Sequence, residues 1–83
     1  MRYLILTLRT PNFDVSVIEG HKEYLAQLMA NGVLELAGGF TDQTGGAYVI
    51  VAEDLESAQT IAFNDPVYTS GASDVIVHEW NAA

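Results

Sequence analysis

Val33-Leu34-Glu35-Leu36-Ala37-Gly38-Gly39-Phe40, the turn Asp42 to Gly46, and Ala47-Tyr48-Val49-Ile50-Val51-Ala52 form the stretch whose reading decides the fold. Two runs of strand length stand back to back, joined by polar and glycine residues with no helix between them. Upstream, Asp14 to Ala30 reads as a helix. Val17, Tyr24, Leu25 and Leu28 fall three, four or seven positions from His21, so all five share one helical face. Ser16 with Glu19 can form a capping box, and Asp14 is the alternative cap. Asn31-Gly32 closes this helix, since both residues tolerate left-handed backbone. Downstream, Asp54 can cap a second helix carrying Leu55, Ala58, Ile61 and Ala62. Asp65-Pro66 stops it, because a residue before proline is pushed out of helical backbone. A strand from Tyr3 to Leu8 opens the chain and is broken by Pro11-Asn12. A loop with Ser70-Gly71 leads to a closing strand, Val75 to Trp80.

The order is strand, helix, strand, strand, helix, strand. This βαββαβ pattern predicts an α+β, ferredoxin-like fold: a four-stranded antiparallel sheet with two helices on one face. The other face follows from the strand alternation. Leu4, Leu6 and Leu8 oppose Tyr3, Ile5 and Thr7; Val49 and Val51 oppose Tyr48 and Ile50; Val75 and Val77 oppose Ile76 and Trp80. Neither side is consistently polar, whereas a half-solvated antiparallel sheet alternates cleanly. The helix-free face therefore needs a cover, and a second copy of the chain is the economical one. The expectation is a homodimer with sheets packed face to face, a dimeric α/β barrel.

At 83 residues the chain is expected to be one domain, 1–83. A domain of this size buries roughly 60–65 % of its unfolded surface, so a lone core is marginal. There are no cysteines, which excludes disulfides and thiolate metal sites and fits a reducing, cytoplasmic setting. Three cations stand against eleven acids, a formal charge of −8. That balance repels nucleic-acid phosphates and anionic membrane surfaces, so neither is expected as a partner. No run reaches the about 20 apolar residues of a membrane span, and the opening Met1-Arg2-Tyr3-Leu4-Ile5-Leu6 is too short an apolar run for a signal peptide.

His21 is the first residue with chemistry to offer. An imidazole on a mostly dry face needs a hydrogen-bonding partner. It is either a packing histidine tied to a carbonyl or carboxylate, or a general acid–base group that titrates near neutrality. Asp65 either initiates a turn or accepts a bond from one ring nitrogen of His21, fixing the tautomer and stabilising imidazolium. Two helices side by side on a sheet can bring these residues together despite their separation in the chain. Gly38, Gly39 and Gly71 are places where a ligand or a backbone can approach closely, with bulges and turns the simpler explanation for each. Arg9 and Lys22 can hold an anionic group or can be solvated surface charges. His78, alternating with Ile76 and Trp80, reads as an interface or edge residue. No phosphate-cradling glycine pattern, nucleophile elbow or helical metal-ligand spacing occurs, so no cofactor and no metal are expected.

Taken in order, Tyr3-Leu4-Ile5-Leu6, His21-Lys22-Glu23-Tyr24-Leu25, Gly32-Val33-Leu34, Gly38-Gly39-Phe40, Asp65-Pro66-Val67-Tyr68-Thr69-Ser70-Gly71 and the strand ending in Trp80 resemble the YciI-like family of small dimeric α/β-barrel proteins. The match covers nearly the whole chain. The resemblance implies a ferredoxin-like protomer dimerised through its sheet, with a His and an Asp in the active site, here His21 and Asp65. It also implies proton-transfer chemistry without a cofactor. A related enzyme type removes chloride from chlorinated hydroxyhydroquinones, and the wider superfamily includes muconolactone isomerases. Gly39 stands where many members have proline, and Thr69-Ser70 replaces a commonly basic segment. Both departures are expected to border the pocket.

Two functions follow. One is a cofactor-independent lyase or isomerase using a His–Asp dyad on a small cyclic or aromatic substrate. Its substrate-binding residues would be Arg9, Gly38, Gly39, Ser70 and Gly71, with backbone N–H groups near the glycines steadying an enolate or phenolate oxygen. The other is a non-catalytic small-ligand-binding or dimeric assembly module, in which the His–Asp contact only ties helices together.

Overall fold

The computed structural model describes residues 1–83. Its elements are β1 (Arg2–Arg9), α1 (Val17–Ala30), β2 (Leu34–Gly39), β3 (Gly45–Val51), α2 (Leu55–Phe63), α3 (Pro66–Thr69) and β4 (Ser73–Trp80). The four strands form one sheet in the order β2-β3-β1-β4, and every neighbouring pair is antiparallel. This is the ferredoxin-like α+β arrangement expected from the element order. The first and third strands sit in the middle, with Ile5 opposite Tyr48 on one side and Val77 on the other.

Alternation then selects the core. Tyr3 and Ile5 of β1 and Tyr48 and Ile50 of β3 point to the helix side, where they pack with Leu34, Ala58 and Ala62. Fully burying one such large apolar side chain contributes about 1.5–3 kcal/mol, so this cluster is the main source of stability. Small residues at Ala58 and Ala62 let α2 lie close on the strands. From α1 the half-buried Leu25 and Leu28 complete the layer. The opposite sheet face carries Leu8, Leu36, Val51, Ile76 and Trp80, all exposed. No helix of the fold is long and apolar enough to cross a membrane.

Local departures from expectation have local causes. The first helix begins at Val17, not Asp14, and the Ser16–Glu19 capping box does not form. Ser16 makes no side-chain cap bond; instead its N–H donates to Asp14 Oδ1 at 2.9 Å. Asp14 is not the cap either: Ser16 occupies the N-cap position, and Asp14 forms an Asx turn just before the helix. Asp54 caps α2 as expected, accepting the Ser57 N–H at 2.8 Å. The segment after Asp65-Pro66 is a short helix, α3, where the sequence suggested only loop. Proline at the first helical position both ends one helix and starts another, since its fixed φ and missing N–H suit that place. The last strand starts two residues earlier than expected, at Ser73. The second strand is bulged between Leu34 and Leu36, which sends Leu34 to the core and Leu36 to the outer face.

Candidate functional site

The site lies where α1 and α3 meet over the sheet. Asp65 stands between α2 and α3 with extended backbone, and its Oδ1 accepts the Val67 N–H at 3.0 Å, capping α3. This geometry turns the carboxylate toward α1. His21 Nδ1 lies 2.9 Å from Asp65 Oδ1 and 2.8 Å from Oδ2. A carboxylate acting as acceptor requires the proton on Nδ1, so the imidazole donates there, and in its neutral form the lone pair is on Nε2. Nε2 makes no bond within the protein. The Asp65 side chain is fully buried, whereas that of His21 is 21 % exposed. Gly20 lies where the two helices meet, and a methyl at that position would make ordinary contact with Pro66 at 3.7 Å.

His21 forms part of the wall of a cavity of about 320 Å³, a volume at the low end of those that take small organic ligands. Ile18 and Leu25 of α1, Phe13 before it, and Ala37 and Val67 supply apolar surface. Arg9, Gly38 and Gly39, three of the expected binding residues, line the cavity with His21. A Cβ at Gly38 would meet nothing within 4 Å, so its missing side chain leaves open space. Ser70 and Gly71 do not line it, contrary to the sequence expectation. Ser70 caps the end of α3, and the Gly71 carbonyl is held by Thr10 Oγ1 at 2.8 Å. The short helix turns this segment outward. Thr69 also lies outside the lining, so of the two departures from the family pattern only Gly39 borders the pocket.

Sequence reasoning missed Tyr48. It lines the cavity, is 2 % exposed, and its ring sits 6.3 Å from that of His21, tilted by 55°. Its hydroxyl is buried near the Asp65 carboxylate but outside hydrogen-bond geometry, and it has no other partner. Burial, then the charge of Asp65 and the neighbouring Tyr24, push this phenol far above its ordinary value. Tyr24 is raised for the same reasons, burial first and Asp65 second, and its hydroxyl donates to the Ile61 carbonyl at 2.6 Å. The signal for Tyr48 was its phase in β3, which places it on the helix side; nothing local marked it as more than core. Gly45 and Gly46 were also missed as lining residues. Side chains there would collide with the Thr7 and Gly38 carbonyls, so both serve close strand pairing as well as the cavity wall.

Comparison with known proteins places this geometry in context. A family model, the YCII-related domain, matches residues 1–81. The uncharacterized protein YjpA of Bacillus subtilis (strain 168) is 46 % identical over 78 residues, covering 94 % of this chain and 92 % of that protein. Among solved structures, 5-chloro-2-hydroxyhydroquinone dehydrochlorinase (TftG) from Burkholderia phenoliruptrix AC1100, in complex with 2,5-dihydroxybenzoquinone, superposes with a TM-score of 0.72. It shares 24 % identity and is covered over 96 % of its length by the whole of this chain. A muconolactone isomerase gives a TM-score of 0.78 at 13 % identity, with 100 % of this chain and 91 % of that one covered. At these identities the two enzymes show a shared fold. The family match over nearly every residue, together with the close curated relative, establishes that this chain belongs to the YCII-related domain family.

Proposed function

We propose that the protein is a cofactor-independent enzyme of lyase or isomerase type, acting on a small cyclic or aromatic substrate. His21 is its acid–base group and Asp65 the residue that positions it. One observation carries this reading: the imidazole bonds through Nδ1 to a fully buried carboxylate while forming part of a cavity wall. Nε2 is left as the base. It takes a proton from a substrate C–H or O–H, and the electron pair stays on the substrate as an enolate or phenolate. The imidazolium is steadied by Asp65. Returning the proton to another atom gives isomerisation; departure of a leaving group with its electron pair gives elimination. The apolar walls weaken competition from water and strengthen each polar contact inside. Fold neighbours that act on a chlorinated hydroxyhydroquinone and a muconolactone support the same substrate class.

The test is turnover of a panel of hydroxyquinols and unsaturated lactones. His21→Ala is expected to lower turnover of any accepted substrate by about 10²–10⁴-fold, the usual contribution of general acid–base assistance. Asp65→Asn, which keeps size and polarity, is expected to lower it while the protein stays folded. An unchanged rate in His21→Ala sinks the reading and leaves the dyad as a tie between α1 and α3. We further propose that the exposed apolar sheet face is covered by a second copy, giving a homodimer.

A further inference from the structure

The chain has three cations among eleven acids, and their placement is uneven. Arg2 is paired, its Nε 2.7 Å from Glu35 Oε1. The remaining two, Arg9 and Lys22, both line the cavity that contains His21. Neither forms a salt bridge, and the guanidinium of Arg9 makes no side-chain hydrogen bond; it lies 4.1 Å over the ring of Phe13. No Asp or Glu is among the residues lining that cavity. A chain so rich in carboxylates has every opportunity to neutralise its few cations. Here it gathers two of them, unpaired, around one apolar hollow and keeps its acids out.

We infer that the cavity selects a small organic carboxylate, an apolar ring or short chain bearing one permanent negative charge. This deepens the functional reading above and rests on that cavity being the site. The chemistry is direct. A guanidinium offers paired donors that match a carboxylate, and its stacking on Phe13 restrains the plane in which they lie. Lys22 adds a mobile point charge next in sequence to His21. The body of the ligand fits against Phe13, Ile18, Leu25 and Val67. Elsewhere the formal charge of −8 repels anions, so the cavity is where the field favours them. Arg9 and Lys22 are both exposed, so solvent screens them and the preference is moderate and salt-sensitive.

The experiment uses the intact protein and three acids, benzoate, salicylate and cyclohexene-1-carboxylate, each against its primary amide. Binding is followed by calorimetry and by amide chemical shifts of the cavity residues. Each acid that binds is expected to do so at least about 10-fold more tightly than its amide, a difference of about 1.4 kcal/mol. Added salt should erode that preference and leave amide binding unchanged. Arg9→Gln and Lys22→Gln should each reduce it several-fold, and the double variant should abolish it. His21→Ala should retain it. That retention separates this inference from the acid–base reading, which is scored on turnover. Equal binding of acid and amide, no binding of any acid, a preference surviving the double substitution, or its loss in His21→Ala overturns the inference.

Discussion

Asp65 connects three parts of the molecule through one side chain. It caps α3 through the Val67 N–H, receives Nδ1–H of His21, and lies close to the hydroxyl of Tyr48. The first two contacts satisfy a carboxylate that burial would otherwise penalise heavily. The third is incomplete, since the Tyr48 hydroxyl is buried without a partner. An unsatisfied buried hydroxyl costs about 1–3 kcal/mol, and replacing it by an apolar group of the same shape is neutral or stabilising. Tyr48→Phe is therefore expected to leave stability unchanged or to raise it by about 1 kcal/mol in urea denaturation. A loss of that size instead would mean that the hydroxyl bonds to Asp65 in solution. Of these residues, His21 was legible from its place on the apolar helical face, and Asp65 from the Asp-Pro pair. Tyr48 was not, because an aromatic residue in strand phase has the same signature whether or not its hydroxyl faces a carboxylate.

Helices and strands set a second level of constraint, visible in two glycines of opposite character. Gly20 lies within α1, where glycine costs roughly 0.5–1 kcal/mol relative to alanine. A Cβ there meets Pro66 at 3.7 Å, ordinary contact. Gly20→Ala should thus stabilise by about that amount and raise the thermal midpoint; a fall would show that α1 and α3 pack more tightly than this spacing allows. Gly45 has φ +154° at the start of β3, and a Cβ would run into the Thr7 carbonyl on the neighbouring strand. Gly45→Ala is expected to cost at least about 2 kcal/mol, since backbone must move to relieve the overlap. Soluble yield and the denaturation midpoint of this variant check it; native-like values would place β1 and β3 farther apart at that end. The α3 helix, unlike these glycines, could not be read in advance. Four residues carry no period, and proline after aspartate signals a stop as well as a start.

At the scale of the whole molecule, the outer sheet face dominates. Leu36, Ile76 and Trp80 are 63 %, 41 % and 45 % exposed there, beside Leu8 and Val51. This exposed apolar face is the one the proposed homodimer would cover. Ile76→Asp is expected to convert a dimer to monomer in sedimentation velocity and to lower the thermal midpoint, because so small a core gains from association. A wild-type chain sedimenting as a monomer would refute the pairing. The pH dependence of stability also belongs to the whole molecule. Asp14, Asp42 and Asp54 accept local N–H bonds that pull their carboxyls below the ordinary 3.8. On acidification the unfolded chain takes up those protons first, so this stability is complete above about pH 4 and drains away below it. Tyr48 and Tyr24 are raised above 10.0, chiefly by burial. The unfolded chain loses those protons first, so stability is complete below about pH 10 and falls beyond it. Denaturation across pH should show both limbs, and Tyr48→Phe should make the alkaline one shallower.

Periodicity by itself determined the βαββαβ order, the two faces of the sheet and the placing of His21 toward the core. Those properties depend on repeats of two and of about three and a half residues, which any chain displays along its length. Tertiary structure alone decided which remote groups meet: His21 with Asp65, Tyr48 beneath them, Arg9 and Lys22 around one hollow, and Ser70 and Gly71 turned away from it. The physical reason is that contact between distant residues depends on how helices settle on the sheet and on one short turn of α3. Close packing fixes both, and local sequence does not encode them.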